Sequence, residues 1–463
     1  MKLNMRLLAE YFQQYRRFQR NARLYLINSV LSGVTGGILL VLYNLYLVSL
    51  GYKADFVGLV LFMGTLGAGL AIFPAGICID RFSSKAILIW SNALIGVAGA
   101  GQILFRQPVP LLVSAFLAGI GLAFILVINA PFLTRNSTPE ERAHLFSLNI
   151  SLGLITLVLG EVIGGALPGW FRSLSWLMAP LPGWANGALA SQPGPRSYQL
   201  ALLFAGLIAA PSFIPLLMLS GGRPERREVG DERGTRAAQA PTPHTTTAPA
   251  PTERTAQMVV PAMDMEKPLH VPTMERVGKL VRSPFFVFAL VYGLTGAGAG
   301  FFIPYFNIYF VQHLGASPFL FGLIDGGANA ITALTTVLAP LLAARVGRTT
   351  TIVLTRIVSI PLLLTIGLTG ILPLAALLYL FRQGTMDMAA GVLQVYSMEV
   401  VPEKYRGVAN SGYQAAFQVP NALTTPLGGL LIVSVGYPAI FLIGACCYVL
   451  TIVLLWVKLG RKL

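Results

Sequence analysis

Charge is the scarcest commodity in this 463-residue chain: Asp, Glu, Lys and Arg make up 11% of it, where a soluble domain carries about 25%. A soluble enzyme, a coiled coil and a disordered polymer are all poor fits to that composition. Cysteine is nearly absent. Cys78, Cys446 and Cys447 fall within or beside apolar runs, so neither a disulfide framework nor a zinc site is indicated. The four histidines form no ligand cluster and no nucleophile–base pair stands out, so no enzyme, metal or cofactor is expected. Glycine (48) and proline (30) are plentiful but keep no collagen-like period. Glycine runs such as 64–69 resemble phosphate loops by pattern only; no Walker lysine follows, which argues against ATP driving. The net charge of +15 suggests no nucleic-acid partner, because the basic residues lie beside long apolar runs and form no readable motif.

Hydrophobic residues fill the gap. They make 55% of the chain, with a mean hydropathy of +0.70. A membrane-crossing helix needs about 20 predominantly apolar residues, and twelve such segments can be read: 24–50, 56–79, 86–105, 109–134, 144–167, 198–219, 285–312, 319–344, 350–371, 373–399, 409–433 and 438–457. The alternating ten-residue segments of a membrane β-barrel are absent. The expected class is therefore an all-α, multi-pass membrane protein.

Lysine and arginine set the orientation, since short cytoplasmic loops are enriched in both. Of the 33 such residues, 27 fall in the amino-terminal segment, the even-numbered connections, the central segment and the carboxy-terminal tail. Only Lys53, Arg106, Arg172 and Arg196 lie in the odd-numbered connections. Both termini are expected in the cytoplasm. Trp170, Trp176 and Trp184 cluster in the one long outer connection, where indole rings favour the headgroup zone.

Between the sixth and seventh spans the composition changes abruptly. Within residues 220–275, 223–236 are charged and 237–255 are almost all Ala, Pro and Thr, a composition that buries too little apolar surface to offset ordering. The expected organisation is an amino-terminal six-helix bundle (1–219), a cytoplasmic, largely disordered linker (220–283) and a carboxy-terminal six-helix bundle (284–463). Because six is even, the bundles enter the membrane in the same orientation, as parallel repeats do. The halves also match at an offset of 263 or 264 residues. Tyr43-Asn44-Leu45-Tyr46-Leu47 answers Phe306-Asn307-Ile308-Tyr309-Phe310, Leu50-Gly51 answers Leu314-Gly315, and Thr138-Pro139-Glu140 answers Val401-Pro402-Glu403.

With those residues on the page, the chain resembles the major facilitator superfamily over both halves. The most specific likeness is the loop Gly76-Ile77-Cys78-Ile79-Asp80-Arg81-Phe82-Ser83-Ser84-Lys85, which carries that family's glycine, its aspartate four residues on, and the basic residues after it. Ser83 stands where the family usually has glycine. The counterpart Ala344-Arg345-Val346-Gly347-Arg348 keeps the glycine and loses the acid. The resemblance implies twelve transmembrane helices in two bundles related by a pseudo-twofold axis. Gly76, Asp80, Arg81 and Lys85 are expected to act as a conformational latch. In it, the Asp80 carboxylate receives amide hydrogens from the start of span 11, near 408–412, because helix amino termini favour anions. The alternative is a topogenic loop whose bases simply stay inside.

Ionisable residues at membrane depth are costly and therefore informative. Glu161, Asp325, Arg382 and Asp387 are the proton-coupling candidates, each open to a second reading as a buried group satisfied by a fixed partner. Arg382 and Asp387 are five residues apart and do not share a helical face well. Arg356 reads as a structural residue that snorkels or pairs locally. Glu161 replaces the proline of a run that looks like the fifth-span antiporter signature, Gly160-Glu161-Val162-Ile163-Gly164-Gly165. In the resembled fold, spans 5 and 8 face each other, which would bring Glu161 and Asp325 to one seam. The arginine usual in span 4 of drug/proton antiporters is Ala115 here.

The expected substrate-binding residues are aromatic and amide-bearing: Tyr43, Asn44, Tyr46, Asn129, Tyr305, Asn307, Tyr309, Tyr413, Gln414 and Gln418, with Asp387. An alternative for several of the tyrosines is packing between helices. Apolar walls with a few convergent polar groups suit amphipathic or aromatic solutes. The leading expectation is a monomeric secondary transporter in the cell membrane, of the bacterial inner-membrane type, exporting a small lipophilic or amphipathic solute by alternating access against protons. Uptake or passage of a small polar nutrient, or a transporter-like receptor without flux, are the alternatives.

Overall fold

The computed structural model describes residues 18–180, 189–220, 284–388, 390–402 and 406–459, and the described residues are overwhelmingly helical. The expected linker therefore lies outside the described residues apart from Ser220, as does Trp184.

The first half comprises α1 (Arg20–Ser49), α2 (Ala54–Arg81), α3 (Ser84–Leu104), α4 (Pro108–Arg135), α5 (Pro139–Ser173) and α6 (Pro193–Ala209). The second comprises α7 (Pro284–Phe302), α8 (Pro318–Val346), α9 (Arg348–Leu368), α10 (Leu372–Met388, resuming as Ala390–Glu399), α11 (Arg406–Ser434) and α12 (Tyr437–Leu459). Proline at the first helical position opens α4, α5, α6 and α8, where its missing N–H costs nothing. The helix α5 outruns its expected span at both ends. Its 35 residues give about 52 Å at 1.5 Å per residue, well beyond the roughly 30 Å hydrocarbon core.

Among the described residues, ten single helices are long and apolar enough to cross a membrane, and α8 makes an eleventh as a bent pair, Pro318–Thr336 and Leu338–Val346, at 46°. Pro340 explains that bend, since its ring displaces the carbonyl four residues earlier, Thr336. The twelfth, α10, carries Arg382 and Asp387 within its span.

Within each half the same pairs pack: α1 on α5 and α2 on α4, then α7 on α11 and α8 on α10. Glycines permit these approaches. A side chain on Gly67 or Gly119 would strike the backbone of the facing helix at Phe116 or Gly64, so Gly64 and Gly67 belong to a packing surface. The repeat is also written in the backbone. Gly51 (φ 97°) and its counterpart Gly315 (φ 73°) both take the left-handed conformation that ends the first helix of their half. At the connection after the second helix the halves diverge. Gly347 needs its glycine at φ 84°, whereas Ser83 sits at φ −67° and caps α3 by accepting from the Ala86 N–H at 3.3 Å. The serine departure thus costs the turn nothing.

Candidate functional site

The ends of the helices define two faces: a basic end, bearing Arg20, Arg81, Arg135 and Arg345, and the far end opposite. The halves meet along three seams, α1 against the Phe306–Ile308 turn that follows α7, α2 against α11 and α5 against α8, and they meet toward the far end. A side chain on Gly58 of α2 would strike Thr425 and Pro426 of α11, and one on Gly429 would strike Ala54. Gly165 of α5 lies against Pro318 and Phe319 of α8, and Gly322 against Glu161. Toward the basic end the same helical faces separate. On α2 the line from Gly58 continues through Thr65, Gly69 and Phe73, which is 81% exposed. On α11 it continues from Thr425 to Gln418 and Gln414, both exposed. On α5 it runs through Leu154, Ser151 and Ser147, and on α8 through Ala333, Thr336 and Pro340, again exposed. The result is a cleft between the halves, shut at the far end and open at the basic end.

Polar residues hold the shut end. Asn44 is 7% exposed and Asn307 4% exposed. The Asn44 amide donates to Pro304 O at 2.7 Å and to Asn307 Oδ1 at 3.3 Å. The Asn307 amide donates to Leu40 O at 3.3 Å and Val41 O at 3.2 Å. In the α5–α8 seam Glu161 is fully buried, and both its oxygens accept from Asn329 Nδ2, at 3.0 and 3.2 Å. One turn earlier on α8, Asp325 accepts from the Tyr379 hydroxyl at 2.7 Å, and it is an electrostatic neighbour of Glu161. The expected seam position of both acids matches this geometry. Helix-to-helix hydrogen bonds in membranes contribute about 0.6 kcal/mol each, so several small terms keep this end closed.

Three of the expected substrate residues belong to the same sealed layer. The Tyr46 hydroxyl donates to Ile103 O at 2.7 Å, Tyr305 to Thr425 O at 2.5 Å and Tyr309 to Ile366 O at 2.5 Å. All three side chains are fully buried, and their hydroxyls are committed to backbone carbonyls. Sequence cannot distinguish such a tyrosine from a lining one, because both face inward on an apolar helix. Tyr413 is packed between α7 and α11, stacked on Phe285 at 5.1 Å and Tyr292 at 5.3 Å, with its hydroxyl buried and unpartnered. Tyr43 and Asn129 are half-buried, and the Tyr43 hydroxyl and Asn129 Oδ1 have no partner. Of the expected lining residues, Gln414 and Gln418 stand most openly on the cleft face.

Inside the second half, Gln383 supplies a link that spacing alone conceals. It accepts from Arg382 Nη1 at 2.7 Å and donates to Asp387 Oδ2 at 2.6 Å, joining two residues that do not share a face. Arg382 is 1% exposed and lies over the rings of Phe302 and Phe306, at 5.0 and 6.0 Å. Arg356 is buried and donates to Thr295 Oγ1 at 3.1 Å, so it pairs locally and does not snorkel.

At the basic end, the Asp80 side chain, and with it the expected latch to α11, lies outside the described residues. Lys85 turns to the end of the sixth span, donating to Leu217 O at 2.7 Å, a favourable place for a cation. Arg81 is exposed, and a side chain on Gly76 would meet nothing within 4 Å.

Twelve helices in two like-oriented bundles around one cleft agree with the sequence profile of the Major Facilitator Superfamily, which matches residues 25–302 and again 288–462. The chain belongs to that superfamily. It is thus a multi-pass membrane protein of a family of small-molecule transporters. No curated protein matches it in sequence. In fold it is similar to the nucleoside transporter NupG, with TM-score 0.67 at 12% identity over 96% of this chain and 99% of that one. A bacterial homologue of the iron transporter ferroportin in its inward-facing state gives 0.66 at 17%, over 95% and 98%. A D-xylose–proton symporter gives 0.63 at 15%, over 94% and 97%. Solutes so different share the fold, so the fold leaves the solute and the direction of transport open.

Proposed function

We propose that this chain is a proton-coupled secondary transporter that exports a small lipophilic or amphipathic solute by alternating access. Fully buried Glu161 carries the reading. It sits in the seam between the halves and takes both its hydrogen bonds from the neutral amide of Asn329. A carboxylate so placed can gain or lose a proton as the seam opens, which couples a proton to the conformational change. Asp325, Asp387 and Arg382 extend the same buried polar system. Solute would contact the cleft through Gln414, Gln418, Asn129 and Tyr43 between apolar walls. The basic end is assigned to the cytoplasm of a bacterial inner membrane, with both termini there, residues 220–283 tethering the halves outside the bilayer, and a monomer as the working unit. On that assignment the conformation is inward-open, the state of the ferroportin homologue.

A second reading, passage of a small polar nutrient, draws on the two glutamines exposed in the cleft and the unpartnered amide oxygen of Asn129. Flux in proteoliposomes separates the two. With an imposed pH gradient, efflux of ethidium should run at least about tenfold faster than without it, and uridine or D-xylose should not move. Gradient-independent flux of the polar probes would overturn export.

A further inference from the structure

Asn44 and Asn307 occupy matched positions 263 residues apart, and they bond to each other. Their backbone acceptors Val41 and Pro304 are matched at the same offset. A contact between a residue and its own repeat mate must straddle the axis that relates the halves, for the reason that self-complementary contacts lie on a twofold. The amides therefore sit on the pseudo-twofold axis, at the shut end of the cleft.

Neither has an N–H to spare for a solute. Both Asn307 N–H groups are used on Leu40 O and Val41 O. Its carbonyl oxygen accepts from Asn44 and, at 2.8 Å, from the Ile308 N–H, which fills both lone pairs. Both Asn44 N–H groups are used on Pro304 O and Asn307 Oδ1. The backbone is shaped for this. A regular helix would direct the Ile308 N–H to Pro304 O, but α7 breaks over Ile303–Tyr305. The Ile308 N–H turns to the side chain of its neighbour, and Pro304 O receives the partner half.

We propose that Asn44 and Asn307 form an amide clasp that locks the far end shut, and that they act on solute movement only through this lock. The inference rests on the alternating-access reading above. Opening the far end breaks four hydrogen bonds between the halves at one point on the axis, so the clasp sets the ratio of the two states.

The test uses the full-length chain in lipid nanodiscs, with Cys78, Cys446 and Cys447 replaced by serine and spin labels at F82C and V346C, exposed connections on opposite halves at the basic end. Distances are read at several pH values. N44A and N307A should each shift the population toward the short distance, with the basic end closed, by about tenfold. The double variant should shift less than the product of the two, because they share a bond. Isosteric N44D, which keeps the volume and loses the donors, should shift it in the same direction if truncation proves destabilising. Two native populations left unmoved by every variant would overturn the clasp and leave alternating access standing. So would variants that raise the KM for transported solute while the distances stay fixed, as a solute contact would. A single distance at every pH, in native chain and variants alike, would sink alternating access and the clasp together.

Discussion

Glu161 illustrates how a buried acid can be both structural and switchable. Glutamine keeps the shape and an oxygen acceptor for Asn329 while fixing the neutral form. In E161Q, uphill transport driven by a pH gradient should fall at least about tenfold, while solute exchange at equal pH, which moves no net proton, continues. Loss of both, with normal folding, would assign Glu161 to solute binding. E161A should behave differently, stranding the Asn329 amide in the seam at a cost of about 1–3 kcal/mol and lowering the melting temperature measured in detergent. The proton-linked reading of Glu161 was accessible from sequence because an acid in an apolar run is conspicuous. Its partner was not, since Asn329 is one amide among many and lies 168 residues away. Gln383 was hidden for a related reason: it bridges two charges whose spacing argues against their meeting.

Among the elements, α7 and α8 depart most from regular helices, and each does so at a proline. Pro340 bends α8 by 46° just where its basic-end portion leaves the α5 seam. P340A should straighten α8 and draw its basic end toward α5. Turnover should fall several-fold with little change in solute affinity, because no expected solute contact is lost. Equal turnover in stopped-flow efflux would show the bend to be passive. The helices themselves were legible from apolar length. The boundaries of α5 went astray for a physical reason: the long helix projects past the hydrocarbon, where apolarity no longer reports on structure.

For the whole molecule, the separation of basic ends with closure of far ends predicts one-sided access. A maleimide too polar to cross the bilayer should modify Q418C from the basic side at least about tenfold faster than from the other side, and T425C, buried in the seam, from neither. Labelling Q418C in inside-out and right-side-out vesicles also fixes the orientation. Faster reaction from outside the cell would reverse the cytoplasmic assignment of the basic end.

Composition, apolar segment length and the repeat offset were enough to determine a helical membrane protein of two like-oriented halves, because a bilayer admits few ways to satisfy a backbone and each leaves a periodic trace in sequence. Family membership followed from the same traces, sharpened by the loop at Asp80. Tertiary structure decided how the inward-facing polar residues divide between lock and lining. Tyr46, Asn44 and Gln418 look alike as polar groups on apolar helices. Only the packing of one half against the other shows that Tyr46 is bonded within its own half, Asn44 across the axis, and that Gln418 stands open to the cleft. Hydrogen-bond capacity is spent pairwise in space, and sequence records the donor without the acceptor.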